Sequence, residues 1–536
     1  MKRLALFILV VLLCSVRVGA VIVPVRSQAD FDKLRQRIIR AADSGATEVR
    51  VEFDGSLRLK FTRNMLNLSG QKYPRTSLVF SGNGVQLTGE GFTDESWTGF
   101  YSAGRKIKAS GRRAGEFTLN LPDSSGPDSF SHILVTEWYQ SRIYKITEIK
   151  DGKVYFSAPS ADELNMDIRY SGNAPRFKLL AEGGSAPSFD EDVKGKAGRL
   201  VSTYGAAFES VVFDNIHFDG NCNTGTTLLD FTDLKTQSVI IRDCEFSRIH
   251  SDLVHVSGAA GFCFENNHIH HCYRSGVLSD NKSPKTRVVG NRFEECGLSM
   301  DMNSCVDCCG PDYYVAGNVF CNFGSRAVSA GVYFTAQKQF KSSGIIENNV
   351  MYYDGDWIEA PENYTLMDTG AIYITTFSDE AIVRFNRIYD YTGMKDNRGI
   401  FCDDGASGFK IYGNVITGIS NSYAIDARRT TMLELKIGGR KVNVNNYIGG
   451  NVVEGPLRFE GRLAGSGCKK DADYLLVPFG ASLPQNDISS VEVSDKDVRV
   501  NISGVKDGVI YLPAFSMWRI RRWEYYDQMK DYFARR

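Results

Sequence analysis

Three aspartates have the residue type and spacing for acid-base chemistry. Asp403 and Asp404 are adjacent at the end of an apolar run and are followed by Gly405, and Asp426 comes about one repeat unit later. Neighbouring carboxylates push one pKa up, so that one group is protonated while the other is ionised. Such a pair is suited to glycoside hydrolysis. We take these three as candidate catalytic residues. The competing interpretation is a solvated turn in which Asp and Gly serve the backbone.

Other polar side chains are expected to surround these acids. Arginine binds carboxylate and sulfate groups through two parallel hydrogen bonds, which suits an acidic ligand such as a uronate. The candidate substrate-binding residues are Arg398, Arg428, Arg429, Tyr373, Thr375, Asp368 and Lys395.

A second chemistry, β-elimination, would use several of the same residues. A Lys, Arg or Tyr base would remove the proton beside a uronate carboxylate, and the residues that qualify by type are Lys395, Arg398, Arg428 and Tyr373. Asp403 and Asp404 would then bind a Ca²⁺ ion. We favour hydrolysis, which needs no cofactor, because the acids are better placed than any single base.

Two clusters have a composition that is typical of zinc ligands. The first is His268, His270, His271 and Cys272 after Cys263, and the second is the run Cys305, Cys308 and Cys309. Alternation along a strand directs His270 and His271 to opposite faces, and the cysteine run lacks a spaced partner pair. The sequence therefore favours no metal site. All seven histidines lie between positions 132 and 271, so none is expected beside Asp403.

A short repeat must position these residues. Nine copies of a small polar residue, usually Asn, followed by apolar residues run from Asn215 to Val453. From Asn267 onward the copies are 24, 27, 31, 37, 28 and 37 residues apart, so a coil of about two dozen residues carries variable insertions. Short Val, Ile, Phe and Tyr segments with alternating polarity predict stacked parallel strands in each coil. This pattern predicts an all-β solenoid.

The repeated Asn predicts both a hydrogen-bond ladder and a turn. Its amide can bond the Asn of the next coil, and Asn tolerates the left-handed backbone conformation. We align the coils on the repeated Asn. In four of them the position 11 residues before that Asn is acidic or polar, namely Asp280, Asp307, Thr375 and Asp403, and we expect these four residues to share one column. Coils about 4.8 Å apart would separate Asp280 from Asp403 by about 19 Å, too far to share one bond.

The repeat resembles the right-handed parallel β-helix proteins typified by pectate lyases and the β-helical glycoside hydrolases. The resemblance covers residues 200–454, and residues 27–55 resemble the N-terminal cap of that group. It implies export, a long groove on one side of the coils and action on a polysaccharide. A non-catalytic glycan-binding surface protein is a third interpretation, because long solenoids also form rigid binding rods. The repeat identifies the fold more strongly than the chemistry.

Composition and the N-terminus indicate an exported protein. Lys+Arg and Asp+Glu both number 63, so no net charge attracts nucleic acid, and we expect a monomer acting on polysaccharide. Residues 1–20 have the basic start, short apolar run and small final residues of a signal peptide, with no transmembrane segment elsewhere. The protein is expected in the periplasm or outside the cell. We favour this over a lipid anchor at Cys14 and expect most of the 11 remaining Cys to fill the core.

Five segments follow from these patterns. After the signal peptide, residues 21–91 form an N-terminal cap and the first coils, beginning with an amphipathic helix over 27–44 that Ser27 caps. Residues 92–198 form a β-rich insertion with hairpins, and residues 199–455 form the parallel β-helix repeats. Residues 456–536 form further strands and a capping tail.

Overall fold

The computed structural model places most of the repeat region in one stack of coils. It describes residues 18–62, 64–89, 199–223, 227–249, 251–272, 274–280, 282–297, 303–331, 342–354, 369–391, 397–419 and 423–427, together with shorter strands between 101 and 180 and between 436 and 513. Thirty-one strands form the continuous stack, and the pairs between coils are parallel. The expected all-β parallel solenoid is confirmed.

Each coil contributes one strand to each of three sheets, which we number in the order the chain meets them within a coil. The first sheet contains Leu66–Asn67, Val201–Ser202, Thr227–Phe231, Asp252–Val256, Val277–Ser279, Ser304–Cys308, Arg326–Gly331, the first parts of Ile372–Arg384 and Ile400–Tyr412, Ile425–Ala427 and Leu457–Phe459. This sheet carries the candidate catalytic acids.

The second and third sheets complete the coils. The second contains Val18–Val25, Ala46–Phe53, the first parts of Lys72–Gly89 and Ala207–Asn223, Ser238–Arg242, Phe262–Glu265, Thr286–Val289, Tyr313–Ala316, Ser343–Glu347, the last parts of Ile372–Arg384 and Ile400–Tyr412, and Tyr447–Gly449. The third contains Arg58–Phe61, the last parts of Lys72–Gly89 and Ala207–Asn223, Glu245–Ile249, His268–Cys272, Arg292–Cys296, Val319–Cys321, Val350–Tyr352, Arg387–Tyr389, Val415–Ile416, Asn451–Val453 and Tyr474–Leu476.

The core is made of like residues stacked between coils. Alternation turns every second residue of a strand inward, and the parallel register places it over its equivalent in the next coil. The rings of Phe218 and Phe246 stack at 4.9 Å between centroids, and those of Phe293 and Phe320 stack at 5.0 Å. Nine cysteines in the described part of the chain are free, and seven of them are buried, as expected for core residues.

The asparagine repeat separates into two neighbouring columns. Asn267, Asn291, Asn318, Asn349, Asn386, Asn414 and Asn451 form the ladder, in which each side-chain NH₂ group donates to the side-chain oxygen of the next Asn at 2.9 to 3.0 Å. The same oxygen accepts the backbone N–H of the preceding ladder residue. The predicted ladder is confirmed, and all seven residues are buried.

The left-handed turns belong to the residue before the ladder. Asn266, Gly290, Gly317, Asn348, Phe385 and Gly413 all have positive φ. Asn215 and Asp243, which we aligned with the ladder, have φ of 55° and 52° and occupy this turn column instead. Cys244 takes the ladder position, and its backbone N–H donates to Asn267 at 2.9 Å. Aligning the first two copies with the ladder was therefore wrong by one residue.

The N-terminal end begins with the predicted helical segment, split into Gln28–Asp32 and Leu34–Asp43. The Ser27 hydroxyl accepts the backbone N–H of Asp30, the expected N-cap. Phe31, Leu34 and Ile38 are fully buried, so the apolar face covers the first coils. Of the predicted signal peptide, residues 18–20 lie in the first strand and residues 1–17 lie outside the described part.

The remaining strands form separate antiparallel sheets. Six strands lie between positions 101 and 180, namely Tyr101–Ser102, Gly115–Asn120, His132–Glu137, Gln140–Lys150, Lys153–Ala158 and Arg176–Leu180. The C-terminal region contains the pair Lys436–Ile437 and Arg440–Lys441 and the three strands Ile488–Val493, Asp497–Ile502 and Val509–Pro513. Residues 514–536, with the predicted capping tail, lie outside the described part. Within the described chain, no helix combines the length and apolar character needed to cross a bilayer.

Candidate functional site

The first sheet brings Asp403 and Asp426 onto neighbouring coils. Asp426 pairs directly with Phe401, so the Cα atoms of the two aspartates are one coil and two residues apart, about 8 Å. This offset accommodates the carboxyl separations of both retaining and inverting glycosidases. Both side chains are fully buried, with 0% of each residue exposed. The strand that carries Asp403 continues to Tyr412, so the competing interpretation of a solvated turn does not fit Asp403.

Asp426 is held by a buried ion pair. The Nε atom of Arg398 donates to Oδ2 of Asp426 at 2.9 Å, and its Nη1 atom donates to the Thr369 carbonyl at 3.3 Å. The guanidinium also lies 4.0 Å from the ring centroid of Phe401. Arg398 was predicted to bind substrate directly. The structure places it against a candidate catalytic acid, because Arg398 lies two residues before the strand Ile400–Tyr412, one coil before Asp426.

Asp403 is held by Tyr373 from the preceding coil. The Tyr373 hydroxyl donates to Oδ2 of Asp403 at 3.1 Å, and both groups are buried. The guanidinium of Arg326 lies 3.5 Å from the centroid of the Tyr373 ring on the other side. Arg326 is itself 0% exposed and was absent from the predicted site. The structure therefore adds a cation to the acids that the sequence indicated.

Thr375 pairs in register with Asp403. Its hydroxyl is buried and has no hydrogen-bond partner among the described residues. Gly331 pairs with Thr375 from the other side and has φ of +117°, where a side chain would overlap the Thr375 carbonyl. The predicted column containing Thr375 and Asp403 is therefore confirmed. It includes the buried Thr375 hydroxyl, for which the described residues supply no hydrogen-bond partner.

Asp307 belongs to the adjacent column instead. Its register partners in successive coils are Ser329, Tyr373 and Phe401, which places it in the column of Asp426. The expectation that Asp307 and Asp403 share one column was wrong, because coil lengths differ by insertions at more than one place. Burial raises the pKa of Asp307 to about 6, against the lowering effects of the Arg326 charge and of hydrogen bonds from Cys309 and Ser329.

Several predicted site residues lie beyond what the structure describes. Asp404 belongs to the strand Ile400–Tyr412, but its side chain is outside the described part. The other residues outside it are Asp368, Lys395, Arg428 and Arg429. Their roles stay predictions.

The cysteine run is part of the core. Cys305 and Cys308 are fully buried in the strand Ser304–Cys308, and Cys309 follows it. Burial raises the pKa of all three thiols, which favours the protonated form over the thiolate that binds zinc. The histidine run behaves differently: His268 and His270 lie on one face of the third sheet, together with Glu245.

Comparisons with known proteins agree with the coil geometry. Residues 201–439 match a family model described as the right handed beta helix region. This match and the parallel three-sheet coils identify the stack as a right-handed parallel β-helix. A search of curated proteins gives no match.

Two solved structures resemble the chain at low similarity. One is described as a glycoside hydrolase; it is 10% identical, with a TM-score of 0.29, over 79% of this chain and 100% of its own. The other is the catalytic domain of a GH87 alpha-1,3-glucanase in complex with tetrasaccharides; it is 10% identical, with a TM-score of 0.24, over 72% of this chain and 96% of its own.

Proposed function

We propose that this right-handed β-helix is an exported glycoside hydrolase that acts on a complex, acidic polysaccharide, with Asp403 and Asp426 as its catalytic pair. The observation that carries the proposal is the placement of these two acids on neighbouring coils of one sheet, each with its own fixed partner. Buried charges are costly and contribute little stability relative to apolar residues. A sheet that nevertheless keeps buried acids on neighbouring coils is a candidate functional site.

The partners suggest different roles for the two acids. Asp426 is held by the Arg398 guanidinium, a contact that suits the group that activates water or attacks the anomeric carbon. Oδ2 of Asp403 accepts a hydrogen bond from the Tyr373 hydroxyl, a different type of residue from the charged partner of Asp426. We assign Asp403 the proton-donor role. The unpartnered hydroxyl of Thr375 is suited to bonding a sugar hydroxyl beside it.

Burial sets a requirement on the substrate. Because both carboxylates are 0% exposed, a sugar reaches them only by displacing the groups that cover them. The excluded water strengthens the electrostatic interactions inside the site. Arg428 and Arg429 are proposed to hold the acidic groups of the glycan, in keeping with the preference of guanidinium for carboxylate and sulfate.

The decisive experiment replaces each acid by its neutral isostere. Asp403→Asn and Asp426→Asn should each abolish release of reducing ends from a panel of plant and host polysaccharides while the circular dichroism spectrum is retained. Asp230→Asn is the matched control. Asp230 is a buried acid of the same sheet, paired with Arg199 at 3.0 Å but seven coils away from Asp426, so its removal should leave turnover intact. Unchanged activity in Asp403→Asn would refute the assignment.

A lyase is the second candidate, favoured by the stacking of Arg326 on Tyr373. A cation over the ring and a carboxylate at the hydroxyl would position Tyr373 as the base that removes the proton beside a uronate carboxylate. Unsaturated products that absorb in the ultraviolet, and dependence on added Ca²⁺, would identify this reaction, since hydrolysis gives neither signal. Glycan binding with no product of either kind would identify a binding protein.

A further inference from the structure

A second cluster of chemically active side chains lies on the outer face of the third sheet. His268 and His270 are two residues apart in one strand and therefore face the same way. Glu245, from the preceding coil, pairs directly with His268. One nitrogen of each histidine and one oxygen of Glu245 lie within 4.8 Å of one another. Two coils thus supply three donor atoms to one place.

The distances suit a single metal ion. Zinc binds histidine nitrogen and carboxylate oxygen at about 2.0 to 2.2 Å, so donors to one ion lie at most about 4 Å apart. The Nε2 atom of His270 is already 3.1 Å from Oε1 of Glu245. The side chain of His268 is 44% exposed, which leaves an open path from solvent. Small side-chain rotations would therefore complete the set.

Neighbouring groups provide the support that metal-binding histidines require. The Nε2 atom of His268 lies 2.6 Å from Oε2 of Glu294, one coil further on. A carboxylate at this nitrogen fixes the tautomer and leaves Nδ1 to bind a metal. The Nε2 atom of His217, one coil earlier, lies 3.8 Å from Oε1 of Glu245 and can approach as a fourth ligand.

We propose that Glu245, His268 and His270 form a binding site for a divalent transition metal, with zinc the best chemical match. Two imidazoles and one carboxylate suit zinc better than Ca²⁺ or Mg²⁺, which prefer all-oxygen sites. Three protein ligands leave a position for water or for His217. The bound ion joins neighbouring coils through side chains, on a different sheet from Asp403, so the site is independent of the proposed hydrolase.

The test uses the full chain, stripped with a chelator and titrated with Zn²⁺ by calorimetry and with Co²⁺ by absorption. One equivalent should bind, with the visible spectrum of a nitrogen- and oxygen-ligated Co²⁺ ion. His268→Gln and His270→Gln should each weaken binding at least tenfold. Glu294→Gln, which changes only a supporting group, should weaken it by about tenfold to a hundredfold.

Two comparisons keep the outcome decisive. His255→Gln is the matched control, since His255 lies on the first sheet and should leave affinity unchanged. The metal-free variants should melt at the wild-type temperature. Zn²⁺ should raise the melting temperature of the wild-type protein and of His255→Gln, and should raise that of His268→Gln and His270→Gln less at the same concentration. Absence of binding, equal affinity in His268→Gln, or the intense near-ultraviolet band of Co²⁺ bound to thiolate would overturn the proposal.

Discussion

The buried carboxyl of Asp307 should make the stability of the protein depend on pH. Its pKa is raised from 3.8 to about 6, chiefly because burial disfavours the charged form. The folded protein therefore holds this proton to higher pH than the unfolded chain does. The stabilisation that results is fully present below pH 3.8 and is lost as the pH rises through about 6. At 1.36 kcal/mol per pKa unit, the loss is about 3 kcal/mol.

Asp307→Asn isolates this effect, because the amide does not titrate. The free energy of unfolding of the variant relative to the wild-type protein should rise by about 2 kcal/mol between pH 4 and pH 7, because part of the total change lies below pH 4. Guanidinium denaturation of both proteins at each pH gives that difference, and the shared unfolding behaviour of the long coil stack largely cancels.

Ser329→Ala is a second variant, and it should increase the pH dependence of stability that Asp307→Asn removes. The Ser329 hydroxyl bonds the Asp307 carboxylate and lowers its pKa. Removing it should raise the pKa further and enlarge the pH-dependent loss of stability in a protein that still carries Asp307. A difference between Asp307→Asn and the wild-type protein that is the same from pH 4 to pH 7 would refute the reasoning.

Two further predictions concern buried pairs. Arg398→Met removes the guanidinium from the buried Asp426 carboxylate and should lower the free energy of unfolding by about 3 to 5 kcal/mol. The double variant Arg398→Met/Asp426→Asn should recover much of that loss. Simple additivity of the two single substitutions in the double-mutant cycle would contradict this expectation. Asn318→Ala deprives Asn291 of its acceptor and should cost about 2 to 4 kcal/mol in chemical denaturation. The exposed Asn67→Ala serves as its control, and equal costs would contradict the ladder's role.

The fold was predictable because its main signal repeats. From Asn267 to Asn451, successive coils must place one Asn at the same position for the amides to meet, so the spacing appears in the sequence despite insertions. The turn column was harder to find because different residues fill it, including Gly290, Asn348 and Phe385. An Asn one position early looks the same in the sequence as a ladder Asn, which explains the misalignment of Asn215.

The site was predictable only where coils had uniform spacing. Tyr373, Asp403 and Asp426 lie in successive coils, and the sequence indicated their proximity. Arg326 was missed because long insertions separate it from Tyr373. A signal was nevertheless present: Arg326 and Arg398 both stand two residues before an inward apolar residue of the first sheet, at the same position of their coils.

The cluster of Glu245, His268 and His270 on the third sheet shows that a local sequence motif omits ligands from a neighbouring coil. The histidines were evaluated with their sequence neighbours. The expectation that alternation separates His270 from His271 was wrong, because His271 has φ of 56° and its Nδ1 atom lies 3.1 Å from Nδ1 of His270. The missing ligand was Glu245, which lies directly across from His268 in the coil before. Only the register between coils reveals this pairing, and the register depends on backbone hydrogen bonds rather than on a sequence motif.

The Asn–Asn hydrogen bonds of the ladder also have a direction, because each is donated to the next ladder residue toward the C-terminus. Each interior ladder Asn therefore offers the same donor, its NH₂ group, to the next coil and the same acceptor, its side-chain oxygen, to the preceding coil. A deletion or duplication that begins at one ladder Asn and ends just before another would rejoin the ladder with every Asn–Asn hydrogen bond intact. A cut within the strands that joins inequivalent positions of two coils would leave a buried amide without its partner. Gain and loss of length in such a protein should thus proceed in whole turns, leaving partial turns to the outward loops.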